Sequence, residues 1–533
     1  MGPPGFRAVP SVSAPRMFPL TGVPAPASDA DVTTRTLRIT GAAILLGAAG
    51  VLVTALPSSS WAAGTFNVKT YGAKGDGITI DSPAINRAIT AANAAGGGTV
   101  LFPAGTYQSR SIHLKSNVTL QLSGAATIRA ASSGFDPAEA NPFSQWQDFG
   151  HSHFHNALLW GENVSNVGIT GTGTIDGAGL VTGNSVPKGV GDKALSLKLC
   201  DHVRVDGVTF RRGGHFAVLF NGCHDLSFTG IRILSAADRD GINIVNSWNV
   251  DIGGSLIQSV DDAVVLKSDF ALGRTFPSFN IHVHDSTILS TENNATQFGS
   301  ETCGEFHDVR FDHLTITGAG KAGIGIVSMD GSNIHHISYS NITMSRTAVP
   351  IYLKIGDRHS CPGHPPIGHI RDISISDVVG TNAVSPVSSS TEFSPTIAGA
   401  SASAKVRDVR LTNVKLTVKG AHPASDAGIV PPENNAKHAP KIYGTRPAYG
   451  WWLRHVSGIS FVGCTVTFER ADGRPAFITD DGSAVSLDGV TFQRGASSRY
   501  DLGFSHVNGY SVTNTKSTTG MAPRIRATNS TPS

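Results

Sequence analysis

Four aspartates form the densest acidic group in the chain: Asp238, Asp240, Asp261 and Asp262. Asp240 lies 21 residues before Asp261 and 22 residues before Asp262. Carboxylates held close together raise one another's proton affinity, so one can stay protonated while another stays anionic. Such a set can protonate a leaving oxygen and activate a water molecule, which is the chemistry that hydrolyses a glycosidic bond.

The elements that must position these aspartates are short segments of one form, a polar residue or two followed by alternating apolar positions. The first apolar residues of ten such segments are Val203, Leu226, Val250, Ile281, Val309, Ile337, Ile373, Val409, Ile459 and Val485. They are separated by 23, 24, 31, 28, 28, 36, 36, 50 and 26 residues. A smallest spacing of about one coil, with longer spacings where the turns contain insertions, is typical of a parallel β-helix. A β-sandwich would space its strands by about 8–12 residues.

We therefore expect an all-β protein, a single-stranded right-handed parallel β-helix. Residues 21 or 22 apart then fall at equivalent places on consecutive coils, whose strands are about 4.8 Å apart. Asp240, Asp261 and Asp262 become neighbours on the outer wall. Their carboxylates can diverge to the roughly 6.5–9.5 Å that leaves room for a water molecule, as in an inverting glycosidase.

Residues 81–95 predict an N-terminal capping helix. Asp81 or Ser82 would be its N-cap, Pro83 lies in the first turn, and three glycines follow the last turn. The helix would cover the apolar edge of the first coil.

Two insertions interrupt the repeat. Residues 384–404 are rich in Ser and Ala and predict a flexible loop. Residues 419–450 include Tyr443 and Tyr449 and are followed directly by Trp451 and Trp452. These aromatics predict a folded loop over one face. We assign the catalytic β-helix to 65–515 and a C-terminal tail to 516–533.

The first 64 residues read as a disordered N-terminus with an export signal. Two arginines precede a nearly uninterrupted apolar stretch over 39–56, and Ser60 and Ala62 form a small-x-small cleavage pattern. We expect a secreted, extracellular protein. Eighteen apolar residues are also the lower limit for a membrane span, so an uncleaved anchor is the alternative.

Composition excludes several classes of function. The chain carries 42 basic and 39 acidic residues, for a net charge of +3, which is too balanced for a nucleic-acid footprint. Five cysteines form neither a disulfide framework nor a C-x-x-C zinc pair. Cys200 and Cys223 lie one coil apart and are expected to stack, whether or not they pair.

Two segments resemble a known family. Residues 238–245 (DRDGINIV) and 260–268 (VDDAVVLKS) are similar to the N-T-D-G and G-D-D signatures of glycoside hydrolase family 28, the polygalacturonase and rhamnogalacturonase group. The similarity extends over roughly 66–495 and includes residues 71–89, 96–107, 167–179, 215–223, 350–358, 447–456 and 473–477, of which the last four resemble a bacterial branch.

This resemblance implies a pectin-lyase-like solenoid that hydrolyses galacturonan or rhamnogalacturonan. Asp261 would be the general acid, and Asp240 and Asp262 would activate the attacking water for inversion. The resemblance implies no metal and no cofactor. We expect a monomer whose partner is a plant-type polysaccharide or oligosaccharide, with membrane contact only if the N-terminal segment is uncleaved.

The chain departs from the family in two places. A G-H-G signature, whose histidine lies beside the acid, is expected near 294–299, where the chain has no histidine. An R-I-K signature that binds the substrate carboxylate is expected near 325–327, where the chain reads Gly-Ile-Val. Lys267, Lys354 and Arg358 are the cations that would bind substrate instead.

Histidines provide two further candidates. His215 precedes Asp240 by one coil, and we expect its side chain to reach the substrate. The run HSHFH at 151–155 would place three imidazoles on one face of a strand, but without a carboxylate, so we expect no metal there.

Other readings stay open. A β-eliminating polysaccharide lyase would need Ca²⁺ and an Arg or Lys base, and a non-catalytic β-helix would only bind carbohydrate. The sequence leaves open endo or exo cleavage; Arg454, His455 and Arg474 would favour exo action if they close one end of the cleft.

Overall fold

A computed structural model of the chain describes residues 64–183, 185–235, 239–381, 387 and 392–533. The predicted export signal and Asp238 lie outside the described residues. Among the described helices, none has the length and apolar character needed to cross a membrane.

The N-terminal part of the chain is built of short strands. They are β1 (Thr65–Asn67), β2 (Asp76–Ile80), β3 (Gly98–Phe102), β4 (Gly105–Ser109), β5 (Ile112–His113), β6 (Val118–Leu122), β7 (Ala126–Ala130), β8 (Ala157–Glu162), β9 (Ser165–Gly171), β10 (Thr174–Asp176), β11 (Lys193–Lys198), β12 (Asp201–Asp206), β13 (Thr209–Arg211), β14 (Phe216–Asn221), β15 (His224–Thr229), β16 (Arg232–Leu234), β17 (Asp240–Val245), β18 (Trp248–Gly253), β19 (Leu256–Ser259), β20 (Val264–Ser268), β21 (Ser278–His284) and β22 (Thr287–Ser290).

Longer strands follow, several of which bend through more than one face. They are β23 (Thr296–Thr302), β24 (Phe306–Ser328), β25 (Asn333–Ser345), β26 (Thr347–Ile355), β27 (His369–Thr381), β28 (Thr396–Ala398), β29 (Val406–Gly420), β30 (Trp451–Val462), β31 (Thr465–Arg470), β32 (Phe477–Asp488), β33 (Thr491–Phe492), β34 (Leu502–Thr513), β35 (Lys516–Ser517), β36 (Ile525–Thr528) and β37 (Thr531–Pro532). The helices are α1 (Ser82–Ala94) and α2 (Phe149–Ser152), with 3-10 turns at Val68–Tyr71, Ser144–Trp146, Ala424–Gly428 and Pro440–Tyr443.

Strands pair in parallel with the strand one coil further along, which gives the structure three faces. The first face contains β11, β14, β17, β20 and β23. The second contains β12, β15, β18 and β21, and the third contains β10, β13, β16, β19 and β22. This is a parallel β-helix, as the repeat predicted.

The predicted alignment of the ten segments is confirmed residue by residue. Each aligned apolar residue is the register partner of the next, from the pair Val203 and Leu226 to the pair Ile459 and Val485. All ten are buried in one core. Because each buried aliphatic side chain stabilises the fold by about 1.5–3 kcal/mol, this column fixes the register of consecutive coils.

The polar residue that precedes most of these apolar positions has a conformational role. Asp225, Asn249 and Asn280 all have positive φ, at 56°, 54° and 51°. Asn and Asp tolerate this left-handed conformation better than other non-glycine residues, because their short side chains hydrogen-bond locally. Asn249 donates to Asp225 at 2.9 Å and Asn280 donates to Asn249 at 2.9 Å, so the turns of successive coils are linked.

The predicted N-terminal helix is present as α1, whose Ile85 and Ile89 are buried in the core. Asp81 precedes it but does not cap it with its side chain. Its carboxylate accepts instead from the backbone N–H groups of Lys74 and Gly75, at 2.7 and 2.9 Å. Asp81 therefore stabilises the preceding loop, and the role of α1 as a cap of the first coil stays a prediction.

The two insertions behave differently from one another. The described end of 384–404 is not a loop throughout, because β28 lies in it and pairs with β26. The 419–450 insertion is folded, as predicted, and buries Tyr443 and Tyr449. Residues 516–533, predicted as a tail, contain β35, β36 and β37, which pair with β33 and β34, so the ladder continues past 515.

Candidate active site

The three described aspartates of the acidic group line one pocket. Asp240 is the first residue of β17, and Asp261 and Asp262 come directly before β20. The register of Ile242 with Val264 places Asp240 level with Asp262 on the next coil. All three contribute to a cavity of about 170 Å³ at the start of the first-face strands. The spacing thus brought together the carboxylates that it predicted to be neighbours.

Asp240 is almost completely buried, with 2% of its surface exposed. Its Oδ2 lies 3.2 Å from the Nζ of Lys267, and its Oδ1 has no hydrogen-bond partner among the described residues. Burial raises the pKa of Asp240 well above its usual range; Lys267 opposes this, and the carboxylates of Asp261 and Asp262 add to it. Asp240 therefore holds a proton more strongly than a surface aspartate does.

Asp262 is held by Asn294, which occupies the equivalent position on the following coil. Its Oδ1 accepts from the backbone N–H of Asn294 at 3.1 Å and from the side-chain amide of Asn294 at 2.7 Å. Burial, with the negative charge of Asp261, raises the pKa of Asp262 to about 6. The fixed carboxylate can change its protonation state within the pH range in which many enzymes work.

Asp261 is the most exposed of the three carboxylates, with 25% of its side chain accessible. The side-chain amide of Asn293 donates to its Oδ1, and the Nε of Arg239 lies 3.5 Å from its Oδ2. Asn293 thus lies beside Asp261, where the family resemblance places a histidine. An amide can orient this carboxyl group but cannot exchange a proton with it at ordinary pH.

Lys267 lies in the pocket, as predicted for a substrate-binding cation, but it already has protein partners. Its Nζ lies 3.1 Å from the Nε2 of His151 and 3.7 Å from the Oε2 of Glu301, in addition to Asp240. Burial disfavours its charge, but Asp240 and Glu301 outweigh burial and hold the pKa of Lys267 above its usual value. Lys267 is therefore a fixed cation among the carboxylates.

His151 and Glu301 line the pocket although sequence reasoning did not select them. Burial and the charge of Lys267 lower the pKa of His151 to about 4, so its ring is neutral at neutral pH. Burial would raise the pKa of Glu301, but Lys267, His151 and Arg358 hold it at about 2. One signal was available for His151, the cluster at 151–155, whereas nothing in the local sequence marked Glu301.

The histidine cluster does not form the predicted strand face. His151 belongs to α2, His153 follows it, and only His155 precedes a strand. The Nδ1 of His153 lies 3.1 Å from the carbonyl of Phe149, and the Nε2 of His155 lies 2.7 Å from Glu162. The three rings have separate partners and do not converge on a common point.

The prediction that His215 reaches the substrate is wrong. Its side chain is fully buried and does not line the pocket. Its Nε2 lies 2.9 Å from a guanidinium nitrogen of Arg239 and 3.6 Å from Asp148, and its Nδ1 accepts from the N–H of Gly183 at 3.1 Å. His215 supports the pocket residues Arg239 and Asp148 from behind, because the chain folds over it at 183 and 239.

The predictions for Lys354 and Arg358 as substrate-binding residues are also not supported. Lys354 is fully buried, and its Nζ donates to the hydroxyl of Tyr443 at 2.8 Å. Arg358 binds Asp330 through its Nε at 3.0 Å and the carbonyl of Ser300 at 2.6 Å. Neither lines the pocket. Both cations hold loops together, Lys354 through the second insertion and Arg358 beneath the pocket residue Ser300.

The second insertion supplies a pocket residue that the sequence did not reveal, His438. Burial, with the charges of Lys321 and Arg358, lowers the pKa of His438 to about 4. Arg454 and Arg474, predicted to close the cleft, do not line this pocket. Arg454 binds Glu433 at 3.2 Å, and Arg474 is buried against Asp472 at 2.8 Å.

The structure shows which cysteines form a disulfide. Cys200 and Cys223 stack as expected, and the backbone N–H of Cys200 lies 3.2 Å from the sulfur of Cys223, but both thiols are free and buried. A disulfide instead joins Cys303 to Cys361. It links the end of the first-face strand β23 to the loop that carries Arg358.

Comparison with known proteins agrees with the fold. The sequence profile described as "Glycosyl hydrolases family 28" matches residues 95–435. The chain is 24% identical over 385 residues to an exo-poly-alpha-D-galacturonosidase of Dickeya chrysanthemi, an alignment that covers 59% of this chain and 63% of that protein. The chain thus spans less than two thirds of that relative.

Two solved structures share the fold. An exopolygalacturonase of Thermotoga maritima aligns with a TM-score of 0.51 at 20% identity, over 66% of this chain and 87% of that chain. A family 28 exopolygalacturonase of Yersinia enterocolitica aligns with a TM-score of 0.51 at 18% identity, over 86% of this chain and 79% of that chain. Because the family profile matches more than half of the chain, the chain belongs to glycosyl hydrolases family 28.

Proposed function

We propose that this protein is a secreted hydrolase that cleaves galacturonan or rhamnogalacturonan chains with inversion at the anomeric carbon. The observation that carries the proposal is the meeting of Asp240, Asp261 and Asp262 in one pocket. An inverting mechanism needs one carboxylic acid and at least one carboxylate with a water molecule between them.

In this proposal Asp261 is the general acid. It is the most exposed of the three clustered aspartates, and Asn293 and Arg239 fix its orientation. Asp240 and Asp262 activate the attacking water. Their raised pKa values make them stronger bases once they are ionised, and Lys267 favours the ionised form of Asp240.

The pocket lining holds five acidic residues and two basic ones, so binding of a uronate substrate depends on the placement of those two cations. Arg239 and Lys267 line the pocket, and Lys321 acts electrostatically on Asp262 and His438. We propose that these cations bind the substrate carboxylate in place of the missing R-I-K signature, since a carboxylate on the sugar pairs favourably with Arg or Lys. The neutral imidazole of His438 adds a hydrogen-bonding group without adding charge.

We further propose exo action. The second insertion brings His438 into the lining of the pocket that also contains Asp261, where it would restrict the approach of a long chain. The similar Dickeya protein is named an exo-acting galacturonosidase. An enzyme of this kind releases short products from a chain end.

The test is a panel of polygalacturonate, rhamnogalacturonan and a neutral glycan, with reducing ends and ultraviolet absorbance followed together. The proposal predicts new reducing ends from one of the acidic polymers, short products from the start, and no rise in absorbance. An unsaturated, absorbing product that is lost with a chelator would identify a lyase. Binding without turnover would identify a non-catalytic β-helix.

A further inference from the structure

A second group of ionisable side chains lies on the second face, away from the candidate active site. It consists of Asp251 on β18 and of His282 and His284 on β21. The register places Asp251 opposite His282, and residues two apart on a strand share one side of a sheet. All three side chains therefore project from the outer wall, and none lines the catalytic pocket.

The spacing of their polar atoms is that of metal ligands. The Oδ1 of Asp251 lies 3.3 Å from the Nε2 of His284 and 3.7 Å from the Nδ1 of His282. One ligand atom from each of the three residues lies within 4.8 Å of the others. A tetrahedral ion with bonds of about 2.0–2.1 Å separates its ligands by about 3.3 Å, so small side-chain rotations suffice to enclose one ion.

The surroundings orient the two imidazoles. The Nδ1 of His284 lies 2.7 Å from the carboxylate of Asp285, which leaves its Nε2 directed to Asp251. A carboxylate on the second nitrogen is the usual support of a metal-binding histidine. The Nε2 of His282 is enclosed and has no hydrogen-bond partner among the described residues, so its Nδ1 is the nitrogen that can bind.

The adjacent coil places one cation and one carboxylate near His282, and the charge of Arg310 lowers the pKa of His282 while that of Asp312 raises it. Arg310 on β24 is the register partner of His282, but its guanidinium binds Asp312 at 2.7 Å. Two carboxylates, those of Asp251 and Asp285, lie against the two imidazoles.

We propose that Asp251, His282 and His284 bind one divalent transition-metal ion of the zinc class, with water as the fourth ligand. Two imidazoles and one carboxylate suit zinc, cobalt or nickel, whereas calcium and magnesium take oxygen ligands. The ion bridges β18 and β21 and thereby clamps two consecutive coils. This site is independent of the proposed hydrolysis.

The experiment is calorimetric titration of zinc chloride into the full chain without a polyhistidine tag, at neutral pH. We expect one ion per chain at this site, affinity at least tenfold weaker in His282→Ala and His284→Ala, and roughly 10–100-fold weaker in Asp285→Asn. The matched control is His506→Ala, because the ring of His506 contacts Ser505 and Asn529 rather than a carboxylate. This control should bind zinc as the parent does.

Thermal unfolding provides a second readout. Zinc should raise the melting temperature of the parent and of His506→Ala, but not that of His284→Ala. If an alanine variant does not fold, His282→Gln and His284→Gln keep the shape of the site and test the same point. The absence of stoichiometric zinc binding by the parent, or equal binding by the ligand variants, overturns the proposal. Hydrolysis should be the same in all these variants, so failure of this site is distinguishable from failure of the proposed function.

Discussion

Asp240 and Asp262 occupy equivalent positions on consecutive coils, and the N–H of Gly241 donates to the carbonyl of Asp262 at 2.9 Å. The backbone ladder therefore sets the separation of the two carboxylates. Asp261 adjoins this pair because its own N–H donates to the carbonyl of Arg239 at 3.2 Å. A β-helix can bring three carboxylates together in this way because each coil repeats the geometry of the last.

The first prediction concerns the proposed acid. Asp261→Asn removes the proton donor but keeps the shape and the contact with Asn293. General acid catalysis contributes roughly 10²–10⁴-fold, so kcat on polygalacturonate should fall by about that factor while substrate binding persists. Asp206→Asn, a surface aspartate paired with Arg204, is the matched control and should leave kcat unchanged. An Asp261→Asn protein with parental kcat would remove Asp261 from the mechanism.

The second prediction concerns the acidic limb of the pH profile. Burial raises the pKa of Asp240 to about 8 and that of Asp262 to about 6, and a protonated carboxyl group cannot accept a proton from water, so kcat/KM should fall as the pH drops from about 8 through about 6. The charge of Lys321 lowers the pKa of Asp262, so Lys321→Met should move this limb to higher pH. Lys516→Met, on the distant strand β35, should not move it. A limb that is absent down to pH about 4, or that does not respond to Lys321→Met, contradicts the assignment.

The third prediction concerns the buried cation. Lys267→Met leaves Asp240 and Glu301 without their shared partner. Removing one partner of a buried ion pair costs about 3–5 kcal/mol, so the free energy of unfolding should fall by that order, and kcat/KM should fall as well. Arg204→Met breaks an exposed pair with Asp206 and should cost less than about 1 kcal/mol in denaturant titration. If both variants lowered the free energy of unfolding by the same small amount, Lys267 would be solvated rather than part of a buried ion pair.

The fourth prediction concerns the second insertion. His438→Ala removes a neutral hydrogen-bonding ring from the pocket without changing its charge. A hydrogen bond contributes about 0.5–1.5 kcal/mol, so KM for an oligogalacturonide should rise by roughly 2–10-fold with a smaller change in kcat. His506→Ala is the control, since that ring lies on β34, outside the pocket. An unchanged KM would show that His438 does not touch substrate.

The fold and the acidic centre were predictable because both follow from one period. An inward apolar residue recurs once per coil, and two consecutive coils carry a carboxylate at one equivalent position, so counting residues is enough to place Asp240 beside Asp262. The residues that sequence reasoning missed do not share this period. His151, in α2, and His438, in the second insertion, reach the pocket from segments of variable length between the strands, whereas Glu301 lies on β23 where its register with β20 shifts.

The wrong predictions have a related cause. Spacing gives the coil on which a residue lies but not the direction of its side chain. Lys354 lies on the first face like Lys267, yet it is covered by Tyr443 of the second insertion. His215 lies one coil before Asp240, yet the loop at 183 and the side chain of Arg239 cover it. The disulfide between Cys303 and Cys361 joins two loops, and the repeat contains no information on such contacts.

The most direct test of the central claim is the anomeric configuration of the first product, followed by proton NMR during turnover of an α-linked oligogalacturonide. If Asp261 protonates the leaving oxygen while Asp240 and Asp262 direct water to the opposite side, the β-anomer appears first and mutarotates slowly to the mixture. Initial release of the α-anomer, or of an unsaturated sugar, would contradict the account.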